Sequence, residues 1–307
     1  MDKPLVSVIM GVYNEANEQV LKDAVQSILN QSYDKFEFII WDDGSHGEAA
    51  SIVKSLEKMD DRIVVMRREE NKGLAFSLNE CILHARGKYI ARMDADDISL
   101  RHRLEKQVDF LEEHPEYGWC GCNTELFDEN GVWGARPYPE VPKMTDYYKF
   151  SPYAHPSVVF RAEIFDEGRG YLATAETLRC EDYEIFMHLM QRGLQGYNLQ
   201  ENLFRYRENK ESYKKRKTKY RINEAKTRYR NFKAMGKLFP IGWIYVMRPI
   251  VACLVPAAVL EYIKRSEGIR RKGEARGQVE PVQIDIESQP DALSGLKAFA
   301  ESVRQPG

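Results

Sequence analysis

Gly87-Lys88-Tyr89-Ile90-Ala91-Arg92-Met93-Asp94-Ala95-Asp96-Asp97 decides how this chain is read. Its apolar-rich first half has the character of a buried strand, and it delivers three carboxylates within four residues into whatever follows. Like charges at this spacing raise one another's pKa, and an unpaired buried charge costs several kcal/mol, of order. Such crowding needs a cation. On the alternation of a strand, Asp94 and Asp96 point to one side, about 7 Å apart when fully extended. Asp97 then points elsewhere or caps a helix that begins near Leu100. Oxygen donors without His or Cys suit Mg2+ or Mn2+ and leave coordination positions for phosphate oxygens. In isolation the same residues also make a solvated turn with an N-cap, so the flanks must decide.

Upstream, Leu5 to Met10 is a short β-branched run that ends at Gly11, a residue that lets a ligand approach the backbone. Val20, Leu21, Ala24, Val25, Ile28 and Leu29 recur at helical intervals. Phe36 to Trp41 is a second strand, delivered into Asp42-Asp43-Gly44-Ser45. A helix from Glu48 to Met59, a strand from Arg62 to Met66, the turn Asn71-Lys72-Gly73 and a helix from Leu74 to Ala85 complete the approach to the acidic stretch. Strands alternating with helices predict a mostly parallel, Rossmann-like α/β sheet flanked by helices. Its ligand crevice lies beyond the carboxyl ends of the strands. That topology brings the loops bearing Asn14 and Glu15, Asp42 and Asp43, and Asp94 to Asp97 to one edge.

With 307 residues the chain can hold one large α/β domain or two smaller ones, and its formal net charge of −2 is unremarkable. The charges are nevertheless uneven. Lys and Arg dominate from Arg205 to Lys237, whereas the end of the chain leans acidic. Five cysteines in no framework spacing read as core or free thiols of a reducing compartment. Cys120-Gly-Cys122 lacks the second pair a zinc site needs. No basic n-region followed by a long apolar segment marks a secretion signal.

Four segments in this order, Ser7 to Asn14, Trp41 to Ser45, Asn71 to Gly73 and Met93 to Asp97, resemble the successive signatures of family 2 glycosyltransferases, which have the GT-A fold. The resemblance covers roughly the first two thirds of the chain and is far more specific than any single motif. It implies that Val12, Tyr13, Asn14, Glu15, Asp43, Lys72, Asp94 and Ala95 bind the nucleotide, usually a uridine diphosphate, with Asp43 on the base and Asp94 near the ribose. It also implies that Asp96 ligates Mn2+ or Mg2+ on the diphosphate, with Asp94 and Asp97 beside it. Whether Asp96 or Asp97 is the direct ligand stays open.

Downstream, a helix from Leu104 to Glu113, a strand from Trp119 to Phe127 and a hairpin turn at Asp128-Glu129-Asn130-Gly131 are expected. His155 opens what reads as a strand to Arg161 and is a supporting site residue by resemblance. Cys180-Glu181-Asp182 begins a helix. Acids in a first turn are common and contribute only about 0.3–1 kcal/mol each. A carboxylate held against a sugar hydroxyl, however, can take its proton as the C1 bond forms, an effect of about 10²–10⁴-fold. The resemblance gives that role to Asp182, with Glu181 orienting it or meeting the acceptor. Metal on one side of the sugar and a base on the other describe an in-line, inverting transfer.

The remainder divides differently. Residues 1–115 form the nucleotide-sugar half and 116–210 the acceptor and catalytic-base half of one domain. Residues 211–272 carry the basic run and an apolar segment, Ile241 to Ile263, broken by Arg248-Pro249 and Pro256. That segment is too interrupted to span a bilayer. It suits a pair of interfacial helices on an anionic membrane, with Trp243 and Tyr245 at headgroup level; helices that simply cover the sheet are the alternative. Residues 273–307 form a tail with a short helix from Asp291 to Val303. The expected protein is thus a membrane-associating transferase at the cytoplasmic face, peripheral or monotopic. Its partners are a nucleotide sugar and a saccharide acceptor, polyprenyl-linked by resemblance to surface-polysaccharide enzymes, and not nucleic acid. A sugar-phosphate nucleotidyltransferase would open with a Gly-rich, Arg-bearing loop, which Met10 to Glu15 is not. A non-catalytic nucleotide-sugar-binding module would have no need of Asp182.

Overall fold

Hydrophobic periodicity places the first elements where chain order requires them. The computed structural model describes residues 3–168, 170–208, 218–254, 265–269 and 271. Strand β1 (Val6–Val12) is followed by helix α1 (Glu18–Leu29), whose N-cap Asn17 accepts the Val20 amide at 3.2 Å and whose Leu21, Ala24, Val25 and Ile28 are buried. Strand β2 (Phe36–Asp43) is buried at every position, as befits a strand covered on both faces. Then come α2 (Gly47–Ser55), β3 (Ile63–Arg68), α3 (Leu74–His84) and β4 (Tyr89–Arg92). Strands β3, β2, β1 and β4 are mutually parallel neighbours in that order. The loops after β1, β2 and β4 therefore leave the sheet at one edge.

The second half extends the same sheet. Short β5 (Ile98–Ser99) and α4 (Arg103–Glu113) precede a hairpin of β6 (Trp119–Asp128) and β7 (Gly131–Arg136), after which come α5 (Met144–Lys149) and β8 (Val159–Arg161). Helix α6 (Glu181–Gln191) leads to β9 (Gly196–Arg207). Among the described residues the sheet has nine strands, which run β3-β2-β1-β4-β8-β6-β9-β5 with β7 on β6. β8 is antiparallel to both of its neighbours, whereas β9 lies parallel to β6. One apolar cluster, including Val8, Phe38, Leu104 and Cys120, fills one face; a second, built on Trp119, Phe160 and Phe186, joins the sheet to α6. All five cysteines are free thiols, and only Cys253 is exposed.

Four expectations are corrected. Gly11 opens space for α3, not for a ligand: a Cβ there would meet Ser77 Cβ at 3.0 Å and Leu74 Cδ1 at 3.2 Å. Asp94 to Asp97 do not continue the strand, because β4 ends at Arg92 and the acids occupy the turn that follows. His155 stands in a 3-10 turn, His155–Ser157, and only Val159–Arg161 is strand. The Lys- and Arg-dominated stretch does not begin as one uniform basic run at Arg205, since Arg205-Tyr206-Arg207 is the end of β9 inside the sheet.

After β9, helix α7 (Thr218–Ala234) packs against α8 (Trp243–Val251). Tyr245 turns inward and stacks on Tyr148 at 5.3 Å, so of the two anchors expected at headgroup level only Trp243 is exposed. No helix among the described residues is long and apolar enough to cross a membrane. Residues 255–263 of the Ile241 to Ile263 segment, residues 209–217 of the basic run, and the tail from 273 on lie outside the described residues.

Candidate active site

Each crevice loop is held by side chains that lie in the motifs themselves. Asn14 adopts φ +48°, a left-handed conformation that Asn tolerates better than most residues. Its backbone N–H donates to Ser45 Oγ at 2.9 Å, and its Oδ1 accepts the His46 amide at 2.9 Å, which ties the first loop to the second. Asp42 accepts from the Ser45 amide at 2.8 Å and from Arg67 at 2.6 Å. Gly44 is required at φ +82°, where any Cβ would stand 2.6 Å from the Glu69 carbonyl oxygen.

Asp43 is buried, and its carboxylate accepts the amides of Lys72 at 3.0 Å and Gly73 at 2.7 Å. Burial pushes its pKa up, and those two amide hydrogen bonds oppose the shift. Lys72 thus serves through its backbone, while its ammonium lies 3.5 Å from Glu70 at the surface. Of the other residues read as nucleotide-binding, Val12 is buried, Tyr13 is half exposed, Glu15 accepts the Asn17 amide at 2.9 Å, and Ala95 packs against the core.

The acidic turn is the electrostatic centre. Asp94, Asp96 and Asp97 each present an oxygen within 4.8 Å of the others. Asp97 is buried: its Oδ1 accepts the Arg207 amide at 2.7 Å, and its Oδ2 has no hydrogen-bond partner. Burial, then the charges of Asp96 and Asp94, push its pKa well up. Arg207 also donates from Nε to the Asp96 carbonyl oxygen at 2.7 Å. An orphaned carboxylate oxygen beside two further carboxylates, with no nitrogen or sulfur donor, fits a hard divalent cation.

Arg92 supplies the counter-charge. It is buried and pairs with Asp94 at 2.6 Å, while its Nε and Nη1 have no partner. Arg103 lies beneath, donating to the Arg92 carbonyl oxygen at 3.2 Å and to Ser99 Oγ at 2.7 Å.

Arg92, Asp94 and His155 share the wall of a cavity of about 560 Å³ with Glu181 and Asp182. Asp94 of the acidic turn and the Glu181–Asp182 pair of α6, far apart in sequence, therefore line one space. Asp182, in the first turn of α6, has its pKa pushed up to about 6 by burial and then by the charge of Glu181. His155 is held neutral, its pKa well below the ordinary value, by burial and by the charge of Arg92. Its Nε2 meets the Tyr171 hydroxyl at 2.7 Å. Tyr171 is itself buried within the field of Arg92, Asp182, Asp94 and Glu181. The arrangement offers a carboxylate turn suited to a divalent cation, a carboxyl with its pKa pushed up to about 6, and a hydrogen-bonding neutral His–Tyr pair.

Sequence reasoning missed Arg92, Arg207 and Tyr171. Arg92 had a readable signal, since it is a lone cation two residues before Asp94, at the end of the strand that delivers the acids. Arg207 was hidden in a basic run, and Tyr171 in a stretch without periodicity.

Residues 7–169 match the family described as Glycosyl transferase family 2. The chain is a family 2 glycosyltransferase. It is 39% identical over 270 residues to EpsE of Bacillus subtilis (strain 168), a protein named as a glycosyltransferase, with 88% of this chain and 96% of EpsE covered. WbnJ of Escherichia coli, named as an O-antigen biosynthesis glycosyltransferase, is 31% identical over 66% of this chain and 79% of its own. Among solved structures, the mannosyltransferase PcManGT from Pyrobaculum calidifontis, in complex with GDP-Man and Mn2+, superposes with a TM-score of 0.60 at 18% identity, covering 91% of this chain and 82% of that one. S. aureus TarS 1-349 in complex with UDP-GlcNAc gives 0.56 at 17%, covering 91% and 94%. The GT-A fold expected from the motifs is the fold observed.

Proposed function

We propose that this glycosyltransferase moves a sugar from a nucleotide diphosphate donor, UDP-linked in the first instance, to a hydroxyl of a saccharide acceptor, with inversion at C1. The observation that carries this reading is the shared cavity of Asp94 and Asp182. In this reading Asp43 would hydrogen-bond the base and Asp94 would sit near the ribose. Asp96 and Asp97, with Asp94 beside them, would hold Mn2+ or Mg2+. Bound there, the cation supplies Lewis-acid stabilisation of charge on the leaving diphosphate. Across the cavity, Asp182 accepts the acceptor hydroxyl's proton at its carboxylate, Glu181 keeps it basic by like-charge repulsion, and the His155–Tyr171 pair offers neutral hydrogen bonds to the sugar. The bond from C1 to the diphosphate breaks as the bond from C1 to the acceptor oxygen forms, and no covalent enzyme intermediate is needed. Screening UDP- and GDP-sugars with Mn2+ and saccharide acceptors, then reading the product's anomeric proton coupling by NMR, tests it. An α-linked donor is expected to give a β-glycoside; a retained α-linkage would refute the in-line reading. Release of pyrophosphate from a nucleoside triphosphate and a sugar phosphate would instead favour the nucleotidyltransferase.

The acceptor end of the reading is a polyprenyl-linked saccharide at the cytoplasmic membrane surface. In support, the turn before α8 and the outer face of α8 expose Phe239, Ile241, Ile244, Met247 and Val251, with Lys233 and Lys237 exposed nearby. Apolar side chains rimmed by cations suit a headgroup boundary of anionic lipid. The double variant Ile244→Glu, Val251→Glu is expected to reduce co-sedimentation with phosphatidylglycerol vesicles at least tenfold. Equal sedimentation of variant and parent would remove the membrane face.

A further inference from the structure

The catalytic cavity carries more positive charge than the proposed chemistry uses. Beside Arg92, paired to Asp94, and Arg136, paired to Glu208 at 2.6 Å, its lining includes Lys149, Arg179, Arg248 and Arg271. None of these four makes an ion pair among the described residues. By contrast, Arg62, Arg67, Arg86, Arg205 and Arg228 are each matched to a carboxylate. The cavity's other acids, Glu181, Asp182 and Glu267, leave the four unmatched.

These cations come from separate elements that meet at this cavity. Lys149 ends α5, Arg248 lies on α8, and Arg271 belongs to the segment described beyond it. Arg248 donates to the Lys149 carbonyl oxygen at 2.5 Å, which places the two side by side. Arg179 reaches the cavity from a backbone held at φ +69°, a conformation costly for a side chain of its size and concentrated at functional sites in folded proteins. Ser151 Oγ, on the loop after Lys149, lines the same cavity, is buried and has no hydrogen-bond partner.

We propose that this wall is a subsite for a phosphoryl group carried by the acceptor, separate from the metal-bound phosphates of the donor. The inference rests on the transfer reading above and names the acceptor's chemical class. Several cations around one hydroxyl match a group with several charged oxygens better than a single carboxylate, which one arginine can satisfy. The source is a lipid phosphate: Arg248 shares α8 with Ile244, Met247 and Val251, so the charged wall and the exposed apolar face belong to one helix. An isoprenoid chain leaving the phosphate there has apolar surface to follow.

The test is calorimetric titration of the full chain in EDTA, where the carboxylate turn holds no metal, with farnesyl diphosphate and with inorganic pyrophosphate. Farnesyl diphosphate is expected to bind the parent, and Lys149→Gln or Arg248→Gln to weaken it at least tenfold each. UDP binding in Mn2+ is expected to be unchanged in both variants, which also shows that they fold. Pyrophosphate binding as tightly as farnesyl diphosphate keeps the phosphoryl subsite but overturns the lipid source. Absence of farnesyl diphosphate binding, or equal binding by parent and variants, overturns the subsite. Failure of UDP to bind the parent would count against the transfer reading instead, so the two failures are distinguishable.

Discussion

Asp182→Asn is expected to abolish transfer and leave donor binding intact. The amide is isosteric but accepts no proton, so the expected loss is about 10²–10⁴-fold in kcat, with UDP affinity in Mn2+ unchanged. Because burial and Glu181 push the Asp182 pKa up to about 6, the parent's activity should fall tenfold per pH unit below that value and level off above it. The same shift makes a prediction about stability. The folded pKa lies above the ordinary value of 3.8, so the folded state binds the proton more tightly than the unfolded one. Stability associated with this group is therefore present below 3.8 and lost as pH rises through about 6. At neutral pH the ionised Asp182 opposes folding, and the asparagine variant should be more stable by on the order of 1–3 kcal/mol and melt higher. A variant that loses activity and also melts lower would mark Asp182 as a structural residue. Unchanged transfer would remove it as the base.

Much of this site can be read in the sequence because its chemistry is local while its geometry follows a rule. Right-handed βαβ order alone brings the Asn14, Asp43 and Asp94 loops to one edge, and the continuous buried runs of β1, β2 and β4 between helices are distinct enough to show that order. β9 resists the same treatment. Its middle, Gln200-Glu201-Asn202, is polar and mostly exposed, and its register against β6 shifts on either side of Asn123, so the two-residue period breaks. The strand therefore carries no readable period, and its end, Arg205 to Arg207, merges with the Lys- and Arg-rich stretch that follows. What that hides is functional: the Arg207 amide is the partner of Asp97. The meeting of Asp182 with Asp94 depends on how α6 packs on Trp119 and Phe160, long-range contacts that no local period encodes.

Asp97→Asn is the second change with a large expected effect, and its sign depends on metal. In the metal-free parent, Asp97 is a buried carboxylate with one unpartnered oxygen, facing Asp96 and Asp94. Its pKa is raised by burial and by those two charges, so the ionised form opposes folding above the ordinary value of 3.8. Metal-free stability should thus increase as the pH is lowered from neutrality toward that value, until other carboxylates protonate. A cation that binds the folded turn and not the unfolded chain stabilises by about 2.7 kcal/mol at 100 times its Kd, and Mn2+ is expected to do so for the parent. Asparagine removes the repulsion and with it much of the attraction for a cation. In EDTA the variant should melt above the parent, in Mn2+ the order should reverse, and transfer should fall at least 100-fold as an estimate from lost charge stabilisation. Differential scanning fluorimetry in the two buffers reads the crossover. The Arg207 amide can still donate to the asparagine Oδ1, so the clamp from β9 survives the substitution and the loss reports on charge. Parallel melting curves, with Mn2+ raising both proteins equally, would mean that Asp97 stands outside the metal's reach and that Asp94 and Asp96 hold it alone.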